Sequence, residues 1–432
     1  MNRKRSRKWK KERRKGSKEF MKDEGGNLSQ ETIKYPDGAI FCGVVVNGIR
    51  EGKGTFVDSR GNKYIGDWKE DQATGLGVKE FVSGDRHEGE YNKDLRHGQG
   101  TYLWANGDRY VGNWCKGKMH GQGSFIWANG DAYEGEWEMG LMTGEGLKKM
   151  STGDSYKGSW VGGMAEGWGE KVFRGGDIHH GFYFKDKRTG FGVYFWLNGD
   201  VFHGGWTDGR MCGQGVKKHA NGDIYNGEWE NDKAHGKGVK LFHQGDKHVG
   251  EYKQDQRNGF GIYVWTNGDR YEGEWKNNQM NGLGVKYFAN GEIYDGEWKS
   301  DKAHGWGMKV FFNGDRHEGQ YEADRREGRG TYFWNSGDTY EGTWVDGEQA
   351  GLGTYSFSNG DKYEGMWKDG RKHGSGYLKL SANEILRLQL WQEGLLLAQY
   401  TITELERMDL PPPCTFESFR SWDRKNGWSR TR

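Results

Sequence analysis

Proline, cysteine and long apolar runs are scarce in this chain, and each scarcity excludes a class of protein. Only 4 prolines occur among 432 residues, at Pro36 and Pro411 to Pro413. A collagen-like chain needs abundant proline beside its glycine, so that architecture is excluded in spite of 75 glycines. The 4 cysteines (Cys42, Cys115, Cys212 and Cys414) include no Cys-x-x-Cys pair. This disfavours a structural zinc site and a disulfide framework, and reduced thiols are expected. No apolar run approaches the roughly 18 residues that a membrane-spanning helix needs. The N-terminus is charged without the apolar segment of a secretory signal, so the chain is expected to be intracellular. Coiled-coil heptads of Ala, Leu, Glu and Lys are missing as well.

What the chain does hold is glycine together with 21 Trp, 22 Tyr and 20 Phe, the composition of a glycine-and-aromatic β protein. Its formal charge of +2 conceals an asymmetry. Residues 1–20 carry eleven Lys/Arg against Glu12 and Glu19, a net +9, which leaves −7 for the rest.

Self-comparison is decisive. From Phe41 to Ile385 the sequence repeats every 23 residues, fifteen times, without insertion or deletion. Numbering each unit from 1, position 1 is aromatic or His, positions 3, 12 and 14 are always Gly, and position 5 is Trp or Tyr except at Val45. In Tyr133-Glu-Gly-Glu-Trp137 the aromatics and Gly135 alternate with glutamates, the period of a strand with one packed and one wet face. A second strand is predicted from Gly-x-Gly through position 18, as in Gly98 to Trp104, ending at the turn signal Asn106-Gly107-Asp108. A ring lying over a glycine compensates for the missing side chain, so stacked rings are expected to form the core. The predicted fold is all-β: an elongated, twisted, single-layer antiparallel sheet of hairpin repeats spanning residues 41–385. Thirty strands at about 4.8 Å predict a rod on the order of 140 Å. Residues 1–40 are expected to be a disordered basic arm. Residues 386–432 are read as a degenerate capping hairpin, Leu386 to Trp391 and Leu395 to Ile402, with a tail.

The pattern Tyr271-Glu-Gly-Glu-Trp275, Gly282-Leu-Gly284, Asn290-Gly291 closely resembles the membrane occupation and recognition nexus (MORN) repeat. The resemblance implies a scaffold role of the kind seen in junctophilin-like membrane tethers, radial-spoke head proteins of cilia and cytoskeletal complexes of protists. Similar repeats also precede phosphatidylinositol phosphate kinases and a class of SET lysine methyltransferases.

Only 47 residues follow Ile385, too few for a catalytic domain, which needs upwards of about 100. An enzyme is therefore not expected, nor a cofactor or small-molecule substrate. Gly-x-Gly pairs are accounted for by the repeat and do not open helices as phosphate loops do. His87, His179, His248 and His317 occupy position 1; a ring substituting for Tyr explains them, whereas a metal needs ligands near 2 Å.

Two sets of residues remain as candidate sites. The first is Arg3, Lys4, Arg5, Arg7, Lys8, Lys10, Lys11, Arg13, Arg14 and Lys15 with Trp9 among them. It reads as a contact for an anionic membrane surface, a nuclear import signal or a nucleic-acid contact, or else as a solvated tail. The second comes from four repeats that carry Asp-x-Arg at positions 8 to 10: Asp94/Arg96, Asp186/Arg188, Asp255/Arg257 and Asp324/Arg326. They recur at intervals of 92, 69 and 69 residues, and the repeat before each carries Ala at position 10. Duplication of a three-repeat ancestor explains the pattern. The alternative is a protein-binding edge, with docking points about 29 Å apart across six strands. The function expected is a non-enzymatic scaffold for partner proteins at a membrane or cytoskeletal structure, with self-association through the array ends as a further partner mode. The alternatives are a phosphoinositide-binding regulator and a targeting subunit for a kinase or methyltransferase on another chain.

Overall fold

Alternation of ring, polar, glycine, polar, ring builds the first strand of every repeat, and a computed structural model describing residues 17–19, 30–382 and 384–407 shows how these strands are assembled. The chain divides into two units, Met1–Ala220 and Asn221–Arg432. In each, consecutive strands pair antiparallel with their sequence neighbours and form one layer. In the first unit Ala132–Glu138 pairs with Lys118–Ile126 on one side and Leu141–Lys149 on the other. In the second, Arg270–Lys276 lies likewise between Gln256–Val264 and Gln279–Tyr287.

Glycine register organises both units. Position 3 of one repeat faces position 14 of the same repeat and position 14 of the one before, as in Gly123↔Gly135 and Gly135↔Gly146. A row of glycines therefore crosses the strands at right angles, and the position-1 ring lies along it. A Cβ on Gly123 would sit 2.5 Å from ring carbons of Tyr110, so the close approach requires glycine there. Tyr110, Tyr133, Tyr271 and Tyr340 are fully buried on this face. The position-5 Trp packs edge-on against the position-1 ring of its own repeat and that of the preceding one: Trp137 lies 5.2 Å from Tyr133 and 5.6 Å from Tyr110. Its indole N–H donates back to the glycine row, Trp137 to the Gly123 carbonyl at 3.2 Å and Trp298 to Gly284 at 2.9 Å. The core is thus a zipper of edge-to-face rings, the geometry that aromatic quadrupoles favour.

The structure differs from the sequence expectation in three places. The second strand of each repeat begins three residues earlier, at position 9, as in Leu95–Leu103. A two-residue turn with positive φ at Lys93 and Asp94 joins the strands, the twist-matched hairpin connection. A bulge at position 12, with Gly144 at φ +57°, then re-sets the register. The sheet also begins before the first repeat: Gln30–Lys34 pairs with Ile40–Val46, Ile33 is buried, and Ser17–Glu19 pairs with Gln30–Lys34. The expected disordered arm is therefore too long by these segments, because the edge of the first repeat offers ladder partners to them. At the other end the last strand stops at Thr401 and a short helix, Ile402–Arg407, follows. Its Leu405 is buried against Tyr377 and Leu388. Gln389, buried opposite Gly376, ends the glycine row.

Candidate functional site

Four repeats replace the position-1 aromatic with histidine, and all four imidazoles are completely buried. A shorter ring leaves the position-5 side chain to complete the packing, and there Tyr stands instead of Trp. The Tyr91, Tyr183, Tyr252 and Tyr321 hydroxyls lie 2.7 to 2.8 Å from Nδ1 of His87, His179, His248 and His317. Burial raises the pKa of these phenols above the ordinary value. They keep their protons, and each hydroxyl shares one hydrogen bond with Nδ1 whose direction follows the imidazole tautomer. Burial first, and the adjacent arginine second, push each imidazole down to about 3, so the rings are neutral. They belong to the packed face. Among the described residues no group of three or more His, Cys, Asp or Glu is placed to hold a metal.

The Asp-x-Arg residues are tied into the same repeats. Asp94, Asp186, Asp255 and Asp324 are exposed, and one carboxylate oxygen of each accepts the backbone N–H of Ala73, Ala165, Ala234 or Ala303 in the repeat before, at 2.8 to 2.9 Å. The four arginines reach the other way. Their guanidinium carbons lie 4.2 to 4.3 Å over Trp114, Trp206, Trp275 and Trp344 of the repeat after. Their Nη2 atoms donate to carbonyls of the following turn, Arg96 to Gly117 and Arg257 to Asn278 at 2.9 and 2.7 Å, Arg188 to Gly209 and Arg326 to Gly347 at 2.6 and 2.5 Å. Asp binds backward and Arg forward, so each motif clasps three successive repeats. The backward bond uses only the backbone N–H of position 10, and Arg50 and Met280 make the same bond to Asp71 and Asp301. The ten basic residues from Arg3 to Lys15 lie outside the described residues.

On the opposite face the side chains at positions 2, 4, 13, 15 and 17 point away from the ring zipper. Glutamate at position 4 accepts the N–H of position 13 across the bulge, as Glu90 does from Gln99 at 3.1 Å and Glu297 from Trp306 at 3.0 Å. Sequence reasoning passed over position 13. Eight of the fifteen repeats place a polar residue there and seven an apolar one; Leu76, Trp168 and Phe191 in the first unit and Phe260, Leu283 and Trp306 in the second are exposed by 50 to 63%. Large apolar residues between two glycines on the wet face were the available signal. Exposed leucines also mark the final strand, at Leu395, Leu396 and Leu397.

The family model described as MORN repeat matches fifteen consecutive segments, from residues 41–63 through 363–381. No curated protein matches the chain. Among solved structures, the wild-type TCP10 domain of CPAP from Danio rerio is 12% identical, with 59% of this chain and 98% of that one covered and a TM-score of 0.15. The TCP domain of SAS-4 (dCPAP) from Drosophila melanogaster, solved in complex with a proline-rich motif of Ana2, is 11% identical over 49% and 97%, with a TM-score of 0.20. Virginiamycin B lyase from Staphylococcus aureus is 14% identical over 67% and 94%, with a TM-score of 0.12.

Proposed function

Because the chain belongs to the MORN repeat family, we propose that it is a scaffold that holds partner proteins at a membrane or cytoskeletal structure, the cilium being one such setting. A non-enzymatic, protein-binding array is the family's general architecture; the location and the partners are the proposal. One observation carries it. The rings that define the repeat are consumed by packing between repeats, while the opposite face stays open and carries apolar side chains. Exposed apolar patches rimmed by polar groups are the surfaces on which proteins associate. The exposed Leu395, Leu396 and Leu397 on the last strand support self-association through the array end. Asp94, Asp186, Asp255 and Asp324 are kept as a second proposed contact edge. Its docking role falls on the exposed carboxylates, since the neighbouring arginines are engaged in stacking.

Affinity capture with the tagged full chain from its own cells, read by mass spectrometry, tests the scaffold. Recovery of a stoichiometric protein set is expected. Anionic-vesicle binding by the chain without residues 1–16, with no protein captured, would replace the scaffold with a lipid-binding regulator. Capture restricted to one kinase or methyltransferase would make the chain a targeting subunit.

A further inference from the structure

The open face of the second unit carries an ordered alternation. Strand Gln256–Val264 presents Phe260 and Ile262 on it, Gln279–Tyr287 presents Leu283 and Val285, and Lys302–Val310 presents Trp306 and Met308. The strands between them present acids at the same level: Glu274 lies opposite both Phe260 and the bulge before Leu283, and Glu297 lies opposite Leu283. Phe260, Leu283 and Trp306 form a ridge of side chains exposed by 56, 62 and 56%. The tract has definite ends, because the same place holds Lys237 in the repeat before and Arg329 in the repeat after. Arg270 answers Glu272 at 2.6 Å and Arg316 answers Glu318 at 3.0 Å. The net negative charge beside the ridge is therefore carried by Glu274, Asp295 and Glu297, while Glu251, at the Phe260 end, lies opposite Lys237.

Spacing selects what fits. Successive apolar rungs are two strands apart, about 9.6 Å. A polyproline-II helix repeats every three residues and rises about 3.1 Å per residue, so it returns the same face every ~9.3 Å. Over the two intervals of this tract the mismatch is only about 0.6 Å. The flanking row at Ile262, Val285 and Met308 lies two residues along each strand, about 6.8 Å away, narrower than the roughly 10–12 Å of an α-helix with side chains. Between apolar rungs the ligand meets a carboxylate, which calls for a cation at one position of its three.

We propose that the Phe260–Leu283–Trp306 ridge is a docking site for a basic polyproline-II segment of a partner protein, with an apolar residue or proline every third place and Lys or Arg between. The site deepens the scaffold reading and rests on it. Affinity comes from a preformed, low-entropy ligand laid across apolar rungs, with the carboxylates supplying direction and salt dependence.

The test uses the full chain and a fluorescein-labelled (Pro-Pro-Arg)4 peptide in an anisotropy titration. The expected result is saturable binding, at least tenfold weaker for (Gly-Ser-Arg)4 of equal charge and undetectable for (Pro-Pro-Glu)4. The variant Phe260→Gln/Leu283→Gln/Trp306→Gln is expected to lose at least tenfold. Gln already occupies this place at Gln99, Gln122 and Gln214, so the fold accommodates it. Glu274→Gln/Glu297→Gln keeps the bulge hydrogen bond, as Gln320 makes it to Arg329 at 2.9 Å, and is expected to weaken binding severalfold and flatten its salt dependence. Equal binding of the Gly-Ser peptide, unchanged binding by the triple-Gln variant, or no binding of (Pro-Pro-Arg)4 would overturn the proposal. A fall in oligomeric mass of the triple-Gln variant by light scattering would assign the ridge to a second copy of this chain instead. Partner capture by the triple-Gln variant equal to wild type would remove the site and leave the scaffold reading standing.

Discussion

Four histidines bring a titration into a lattice whose other rings do not ionise near neutrality. An imidazole held neutral in the folded chain, with its pKa pushed down to about 3, regains its ordinary value near 6.5 when the repeat opens. Below pH 6.5 the open state therefore binds protons that the folded state refuses, and stability falls as pH falls from 6.5 toward 3. Each pH unit in that window costs about 1.4 kcal/mol per buried histidine, so at pH 5 a histidine-bearing repeat loses roughly 2 kcal/mol. Hydrogen exchange in the strand Lys247–Lys253 is expected to accelerate between pH 6.5 and 5, after correction for intrinsic rates, while Arg270–Lys276 changes less. The double substitution His248→Phe/Tyr252→Trp reproduces the pair found at Phe202 and Trp206, whose rings lie 5.4 Å apart. It is expected to abolish the acid sensitivity of that strand; an unchanged pH profile would show that the histidine is not its source.

At the scale of the strand pair, the position-1 ring and the glycine row are one interaction seen from two sides. A Cβ on Gly284 would meet the Tyr271 ring at 2.6 Å, so Gly284→Ala displaces the ring and is expected to cost about 1–3 kcal/mol, the usual range for overpacking. Tyr271→Ala alone is expected to cost about 3–5 kcal/mol as a large-to-small core change. In the Tyr271→Ala background the glycine substitution should become nearly neutral, giving a coupling energy of about 1–3 kcal/mol in a double-mutant cycle by urea unfolding. Strict additivity would separate the glycine requirement from the ring. This pairing was legible in the sequence, because positions 1, 3 and 5 alternate with polar residues and so declare a shared face. The start of the second strand was not: the bulge at position 12 breaks the period of two, and positions 9 to 11 then read as turn. Gln30–Lys34 was missed because a five-residue polar strand stands out only beside the edge it completes. Asp-x-Arg was visible as a pattern but not as a clasp, since its partners lie 21 residues away in either direction, on other repeats. The Phe260, Leu283 and Trp306 ridge was hidden for the opposite reason: position 13 varies from repeat to repeat, so no period declares three apolar residues in succession there.

Across the whole molecule the charge is partitioned by position, with +9 in residues 1–20 and −7 in the remainder. The open face adds to that partition, because Glu274, Asp295 and Glu297 stand beside its apolar residues and repel an anionic leaflet. Any attraction to such a surface is therefore expected to come from the arm, at about 1 kcal/mol for each basic residue brought near it. Vesicles of phosphatidylserine and phosphatidylcholine are expected to bind the full chain in a sedimentation assay, and pure phosphatidylcholine vesicles are not. Deleting residues 1–16 leaves Ser17–Glu19 in place on the sheet and removes ten of the basic residues. The truncated chain should fold as before and lose the binding. Raising the salt should act on the full chain in the same direction, since exposed charges are screened beyond about 8 Å at physiological ionic strength and about 3 Å at 1 M. Vesicle binding that survives both the deletion and 1 M salt would place the membrane contact on the repeats, and the apolar ridge would then be the first place to look for it.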